Sequence, residues 1–400
     1  MVRSRMRLIF GLSLAISLSF SLFCPVQADY KRVLGYAGAA AAVASLPFVY
    51  GLLQKAHMPE VGLERLHCVT MQPAKPAQVA DLPALSMKTV LGSIRAGRPF
   101  DGLYNAGTDK NIAIKSGVPS GVTDTVFIYS SGLKCGPCDS WARYIAGFRG
   151  NGVGTLIAHK YLALGIINGP LVAFDYPTDF AESFNIGQEL DVRYLYQVYC
   201  HVVEHNPQAR IVLVGDCKGG TAIVRLITHP ELGRALQHLE GVIIQSPPLS
   251  LQTIISTLAT DYALFFPKVA FKILHAMTKA WFPAYREHGD CRVLFDIPAD
   301  HVPKQLPIYI GSITQDHIAA HGMTQYLIGQ LQKSGNEHVY LFTTDESIRH
   351  AHITKSANYI NGIHAFLQRY HFAHNQEKAS YGVSVLEDAR KHALQAIESH

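Results

Sequence analysis

Ile211-Val-Leu-Val-Gly-Asp-Cys-Lys-Gly-Gly220 is the stretch whose reading decides the fold. Four apolar residues, three of them β-branched, predict a short buried strand ending at Gly215. The residues after Gly220, TAIVRLITH, carry helical apolar spacing at Ile223, Leu226 and Ile227. Strand, G-x-C-x-G, helix is the layout of a nucleophile elbow with cysteine in the place of serine. The turn is sharp, and its central residue is held in a strained backbone conformation. Bulky neighbours there would collide with the adjoining strand and helix. Such a turn lifts the Cys217 thiol above the sheet and points a helix N-terminus at it, which favours negative charge on sulfur.

The chain around this stretch has 400 residues, 48% hydrophobic and 16% charged, enough to bury one large core or two modest ones. Net charge is +5 and the isoelectric point about 8.7. The basic residues are dispersed, with no run and no interleaved aromatic stripe, so nucleic acid is not an expected partner. No cofactor is implied, and HExxH is absent despite twenty histidines. Oligomeric state is not encoded legibly.

The first residues are set apart from the fold. Arg3, Arg5 and Arg7 precede an apolar run from Leu8 to Phe23, and Cys24-Pro-Val-Gln-Ala28 offers a small-residue cleavage site before Asp29. Residues 1–28 are therefore expected to be a signal peptide. Phe23 is too large for a lipobox ending at Cys24. Val33–Leu53, bounded by Lys31-Arg32 and Lys55, is long enough to span a bilayer. It is rich in Ala and Gly, and 29–56 is expected to be a hydrophobic, membrane-associated segment. Export or membrane association is the expected localisation. Beyond the leader, Cys68, Cys135, Cys138, Cys200, Cys217 and Cys291 are too sparse for a disulfide-built scaffold.

Residues 57–122 have mixed polarity and several Pro and Gly, and read as a linker with irregular structure or small edge strands. From Thr125 the rhythm is regular. TVFIYSSG, PLVAFDYPTD, IVLVGDC, GVIIQSPP, LPIYIGS and HVYLFTT read as strands. Helices are expected over Ser140–Arg149, Gly187–Asn206, the elbow helix and Ala319–Ser334, with further helices to the C-terminus. That alternation predicts an α/β fold: a mainly parallel sheet with helices on both faces, built from right-handed crossovers over 123–400. Ligands then bind beyond the carboxyl ends of the strands. Leu251–Asp300 interrupts the rhythm with Tyr262, Phe265, Phe266, Phe271, Trp281 and Phe282. It reads as a helical cap at about 251–300, and such a lining favours a small apolar or acyl substrate.

A thiol nucleophile needs a base, and the base needs an orienting group. In an elbow fold these follow in the order nucleophile, acid, histidine. Asp316 sits just past the LPIYIGS strand. His350, with His352 as the alternative base, sits in the loop after HVYLFTT. The expected triad is Cys217, His350 and Asp316. Acyl transfer also needs two donors for the developing oxyanion. One is the N–H of Lys218 at the elbow helix N-terminus, and the other is expected from Gly132 or Leu133.

The GDCKGG elbow, the FDYP turn at 174–177, QDHI at 315–318 and RHAH at 349–352 resemble the α/β-hydrolase superfamily over roughly 123–370. Members with a cysteine nucleophile include dienelactone-hydrolase-like enzymes and polyhydroxyalkanoate synthases, and GDCKGGT and DHI look somewhat like the latter. The resemblance implies a hydrolase or acyltransferase acting on an ester or thioester. Two departures stand out: Arg349 replaces the glycine that often precedes the histidine, and SSGLKCGPC replaces a His-Gly oxyanion stretch. They motivate a second reading, a catalytically inactive binding protein on the same fold. A third comes from Cys135-Gly-Pro-Cys138, which resembles the thioredoxin active site and would make the chain a thiol–disulfide oxidoreductase. Cys135 and Cys138 are equally candidates for a structural disulfide. Finally, His201-Val-Val-Glu204-His205 is an HxxEH string. Helical spacing clusters Val192, Leu195, Tyr196, Tyr199 and Val203 on one face and turns both histidines to the other, so no catalytic metal is expected there.

Overall fold

The computed structural model describes residues 68–86, 89–90, 92–93, 98–104, 111–132, 161–162, 164–174, 176, 187, 189–250, 254, 256, 268, 271–272, 275, 302–316, 318–346, 348, 350 and 352–398. The expected leader and second apolar segment, the Ser140–Arg149 helix, Leu133, Cys135, Cys138 and nearly all of the 251–300 cap lie outside the described residues. Among the described residues no helix is long and apolar enough to cross a membrane.

Among the described residues nine strands form one sheet: β1 (Cys68–Pro73), β2 (Asp101–Tyr104), β3 (Ile112–Ser116), β4 (Thr125–Ser130), β5 (Leu171–Phe174), β6 (Arg210–Asp216), β7 (Leu239–Gln245), β8 (Ile308–Ile313) and β9 (Val339–Thr344). Their order across the sheet is β2-β3-β1-β5-β4-β6-β7-β8-β9. All pairings from β5 to β9 are parallel. β1, β2 and β3 join as an antiparallel edge, with β1 antiparallel to β5. The sheet therefore starts well before residue 123.

Among the described residues six helices accompany it: α1 (Pro76–Asp81), α2 (Glu189–His205), α3 (Lys218–Ile227), α4 (His321–Lys333), α5 (Ala357–Arg369) and α6 (Gln376–Glu398). The α/β class and the mainly parallel sheet are as the sequence predicts. The expected boundaries of β4, β6 to β9, α2, α3 and α4 are met to within two or three residues, and β5 forms the first part of PLVAFDYPTD.

The parallel strands are covered on both faces, so they read as unbroken apolar runs. Every residue of β4 and β8 is buried, as is all of β6 after Arg210. Burying Ile211, Val212, Leu213 and Val214 contributes roughly 1.5–3 kcal/mol for each side chain, an upper bound set by an extended unfolded chain. Val212 and Val214 join Phe127, Tyr129, Ile243 and the α5 residues Ile363 and Phe366 in the main core. β6 is an interior strand, third of the six parallel ones. Its carboxyl end has Ser130 beside Gly215 on one flank and Gln245 beside Asp216 on the other. Cys217 is thereby delivered to the middle of the row of strand ends.

Candidate active site

Cys217 stands between the last residue of β6 and the first of α3, with φ +50° and ψ −122°. Few side-chain-bearing residues adopt such a conformation, and it costs of order 1–3 kcal/mol. Its own N–H donates to the Gln245 carbonyl at 3.0 Å, and its carbonyl accepts from Thr221 N–H at 3.1 Å. The small residues do the work expected of them. A Cβ on Gly219 would lie 1.9 Å from the Ser130 carbonyl oxygen, and one on Gly215 would lie 2.8 Å from the Gly220 nitrogen. Helix, elbow and neighbouring strand therefore touch backbone to backbone. Among the described cysteines, Cys217 is partly exposed, while Cys68 is buried and Cys200 is exposed.

The acid and the base meet. Asp316, in the turn after β8, takes the His350 Nδ1 at 3.0 Å on Oδ1 and 2.8 Å on Oδ2. Its Oδ1 also accepts the N–H groups of Ile318 and Ala319 at 2.8 and 2.9 Å. Burial pushes the carboxyl pKa up, but the hydrogen bond and charge of His350 and the two amides outweigh it. The group is held below the ordinary carboxylate value. Bonding at Nδ1 leaves Nε2 as the other ring nitrogen able to take or give a proton.

That Nε2 is buried and has no hydrogen-bond partner of regular geometry. Cys217 is nonetheless close enough to act on it. Burial would lower the imidazole pKa; charge on Cys217 and the bonded Asp316 carboxylate reverse this and raise it to about 10. His352, the alternative base, is exposed and begins the 3-10 turn Ile353–Lys355, while the Asp316 carboxylate is bonded to His350.

The expected oxyanion donors fall at two strand ends. Lys218 is the first residue of α3, so its N–H directly follows the nucleophile. Gly132 is buried two residues past β4, the strand beside β6. Leu133 lies outside the described residues.

Sequence reasoning missed a polar layer beneath the elbow. Asp216 is buried and accepts the hydroxyls of Tyr129 and Tyr161, each at 2.7 Å. Burial first, and then the Asp216 charge, push the Tyr161 pKa well above its ordinary value, so this hydroxyl keeps its proton. The Lys218 ammonium runs inward to Asp191 of α2 at 3.3 Å, both side chains 0% exposed, and sits 4.4 Å from the centre of the Tyr176 ring. Ser130 Oγ donates to the Gly219 carbonyl at 3.1 Å and pairs with Tyr176 OH at 2.6 Å. The signal was present: a G-x-C-x-G turn whose variable positions are both charged must seat those charges somewhere in an apolar sheet.

No family model and no curated protein matches the sequence. Solved structures do. Brefeldin A esterase, described as a bacterial homologue of human hormone-sensitive lipase, is 14% identical, with 89% of this chain and 94% of that one covered, at a TM-score of 0.41. XC6422 from Xanthomonas campestris, described as an a/b serine hydrolase without lid, is 15% identical over 68% of this chain and 94% of that one, at 0.38. An acylaminoacyl peptidase in complex with a chloromethyl ketone is 14% identical over 71% of this chain, at 0.41, and the match spans 43% of the peptidase. The fold of this chain is α/β-hydrolase-like on its own features: the mainly parallel strand order, the strained strand-to-helix elbow, and an acid and a histidine following it after successive strands.

Proposed function

We propose that the protein is a hydrolase or acyltransferase that acts on an ester or thioester through Cys217, His350 and Asp316. One observation carries this reading: a strained elbow cysteine is electrostatically coupled to a histidine whose other ring nitrogen is bonded to a buried aspartate. In the proposed cycle the Cys217 thiol gives its proton to His350 Nε2, and the sulfur attacks the substrate carbonyl. The carbonyl oxygen becomes an oxyanion, stabilised by the N–H of Lys218 and a second donor from Gly132 or Leu133. As the tetrahedral intermediate collapses, His350 passes its proton to the departing alkoxide or thiolate, leaving an acyl-cysteine. His350 then takes a proton from water or an acceptor alcohol, which attacks the acyl carbon. The proton returns to Cys217 sulfur as it leaves. Asp316 keeps the imidazole oriented and stabilises its charged form throughout.

The aromatic composition of Leu251–Asp300 supports an apolar acyl group on the substrate. The leader and second apolar run support export or membrane association. The reading is tested by intact and peptide mass after brief exposure of the full chain to activated acyl esters. One acyl adduct on the Cys217 peptide is expected, lost on prior denaturation and in Cys217→Ala along with all turnover. Turnover that survives Cys217→Ala would exclude the mechanism.

A further inference from the structure

The HxxEH string of α2 lies off the buried side of the helix, although that side is made with Tyr194, Val198 and Val202 where the sequence predicts Tyr196 and Val203, both half-buried. The buried side of α2 is made by Asp191, Val192, Tyr194, Leu195, Val198, Tyr199 and Val202. His201 is half-buried, and Glu204 and His205 are exposed. Yet these three side chains converge. One ligand atom from each lies within 4.8 Å of the others, and among the described residues this is the one such group of His, Cys, Asp or Glu.

We propose that His201, Glu204 and His205 bind one divalent transition-metal ion on the last turn of α2, a site separate from the chemistry at Cys217. Four features support it. First, the i, i+4 spacing of the histidines stacks them on one helical face, with ring centroids 4.5 Å apart. Second, His201 Nδ1 is 3.9 Å from Glu204 Oε2, where two ligands sharing a tetrahedral ion at about 2.1 Å would be roughly 3.4 Å apart. The Glu204 side chain is 77% exposed, so a small rotation closes that difference. Third, His205 Nδ1 is 2.9 Å from the His201 carbonyl. Nδ1 must donate there, which fixes the tautomer and leaves Nε2 as an unprotonated ligand, the outer-sphere arrangement usual for metal-binding histidine. Fourth, the site is at a helix C-terminus, where the backbone dipole favours a cation.

Two imidazoles and a carboxylate suit zinc or nickel better than the hard cations calcium and magnesium. The remaining coordination positions open to water on an exposed face, so the ion would secure the helix end. This end is already tied to the 117–124 loop by Asn206, which accepts Val122 N–H at 2.9 Å and donates to the Pro119 carbonyl at 2.8 Å.

The test is calorimetric titration of chelator-treated full-length protein with Zn²⁺ and with Ni²⁺. The expected result is one saturable equivalent that raises Tm by a few degrees. Affinity should fall at least about tenfold in His205→Ala and in Glu204→Gln, and the equivalent should vanish in His201→Ala/His205→Ala. None of the three belongs to the buried side of α2, so these variants are expected to fold, which circular dichroism checks. The absence of any saturable equivalent in the parent protein would overturn the proposal. So would an equivalent that persists in the double variant and disappears only in Cys217→Ala, since the ion would then belong to the thiol site.

Discussion

Two buried aspartates stand at the strand ends around the elbow, and they are built to opposite purposes. Asp316 is held by one imidazole and two backbone amides. Asp216 is held by two tyrosine hydroxyls. Both carboxylates are out of solvent and both are fully engaged. The difference is in the partner. His350 exchanges a proton in the accessible range and its side chain is 17% exposed, so charge on Asp316 is felt at Nε2, beside Cys217. Charge on Asp216 instead acts on tyrosines, Tyr161 and Tyr359, that burial already drives far from titration, so their protons stay in place. A buried carboxylate is thus an orienting group or a structural anchor according to whether its partner can take up and release a proton.

The sharpest way to break this comparison is to neutralise each carboxylate in turn. Asp316→Asn should lower kcat by about 10²–10⁴-fold while leaving a folded protein, because the imidazole loses its tautomer and its counter-charge. Steady-state kinetics on an activated ester measures it. Asp216→Ala should act on stability instead. It removes a charged acceptor from two buried hydroxyls, a loss of about 1–3 kcal/mol that urea denaturation reads. Equal effects of the two substitutions on turnover, with stability unmoved, would erase the distinction.

The smallest effect is in pH dependence. The His350 pKa is raised above its unfolded value of about 6.5 to about 10, so its contribution to stability is complete below the former and is lost as pH rises through the latter. The Asp316 pKa is lowered, so its contribution is present above the ordinary carboxylate value and fades as pH falls below it. The descending limb of kcat/KM should therefore lie near pH 10. In His350→Gln the alkaline fall in Tm should be shallower than in the parent. A descending limb near pH 7 would mean that the thiol and imidazole do not share their charge as proposed.

The parts of this molecule legible in the sequence are those written in local pattern. IVLVGDCKGG announces strand, turn and helix within ten residues, and uninterrupted apolar runs mark each parallel strand. The position of Asp316 after β8 and of His350 after β9 follows from chain order. The antiparallel edge is harder to read. β2 is DGLY and β3 is IAIKS, four and five residues that alternate too briefly to be told from irregular chain. The layer beneath the elbow was hidden for another reason. Asp216 meets Tyr129 from 87 positions away and Tyr161 from 55, and Lys218 meets Asp191 across two elements. No periodicity records such pairs; only the charge of residues 216 and 218 hinted that partners had to exist.

The +50° φ of Cys217 bears on how this chain would respond to being made sturdier. Glycine occupies that conformation without steric cost, so Cys217→Gly should raise the unfolding free energy by about 1–3 kcal/mol while silencing the thiol. Breeding the protein for heat tolerance alone would therefore discard its reactive atom early. Screens for sturdier variants of this chain need to score acylation alongside survival, or they will select a durable shell around an empty hearth.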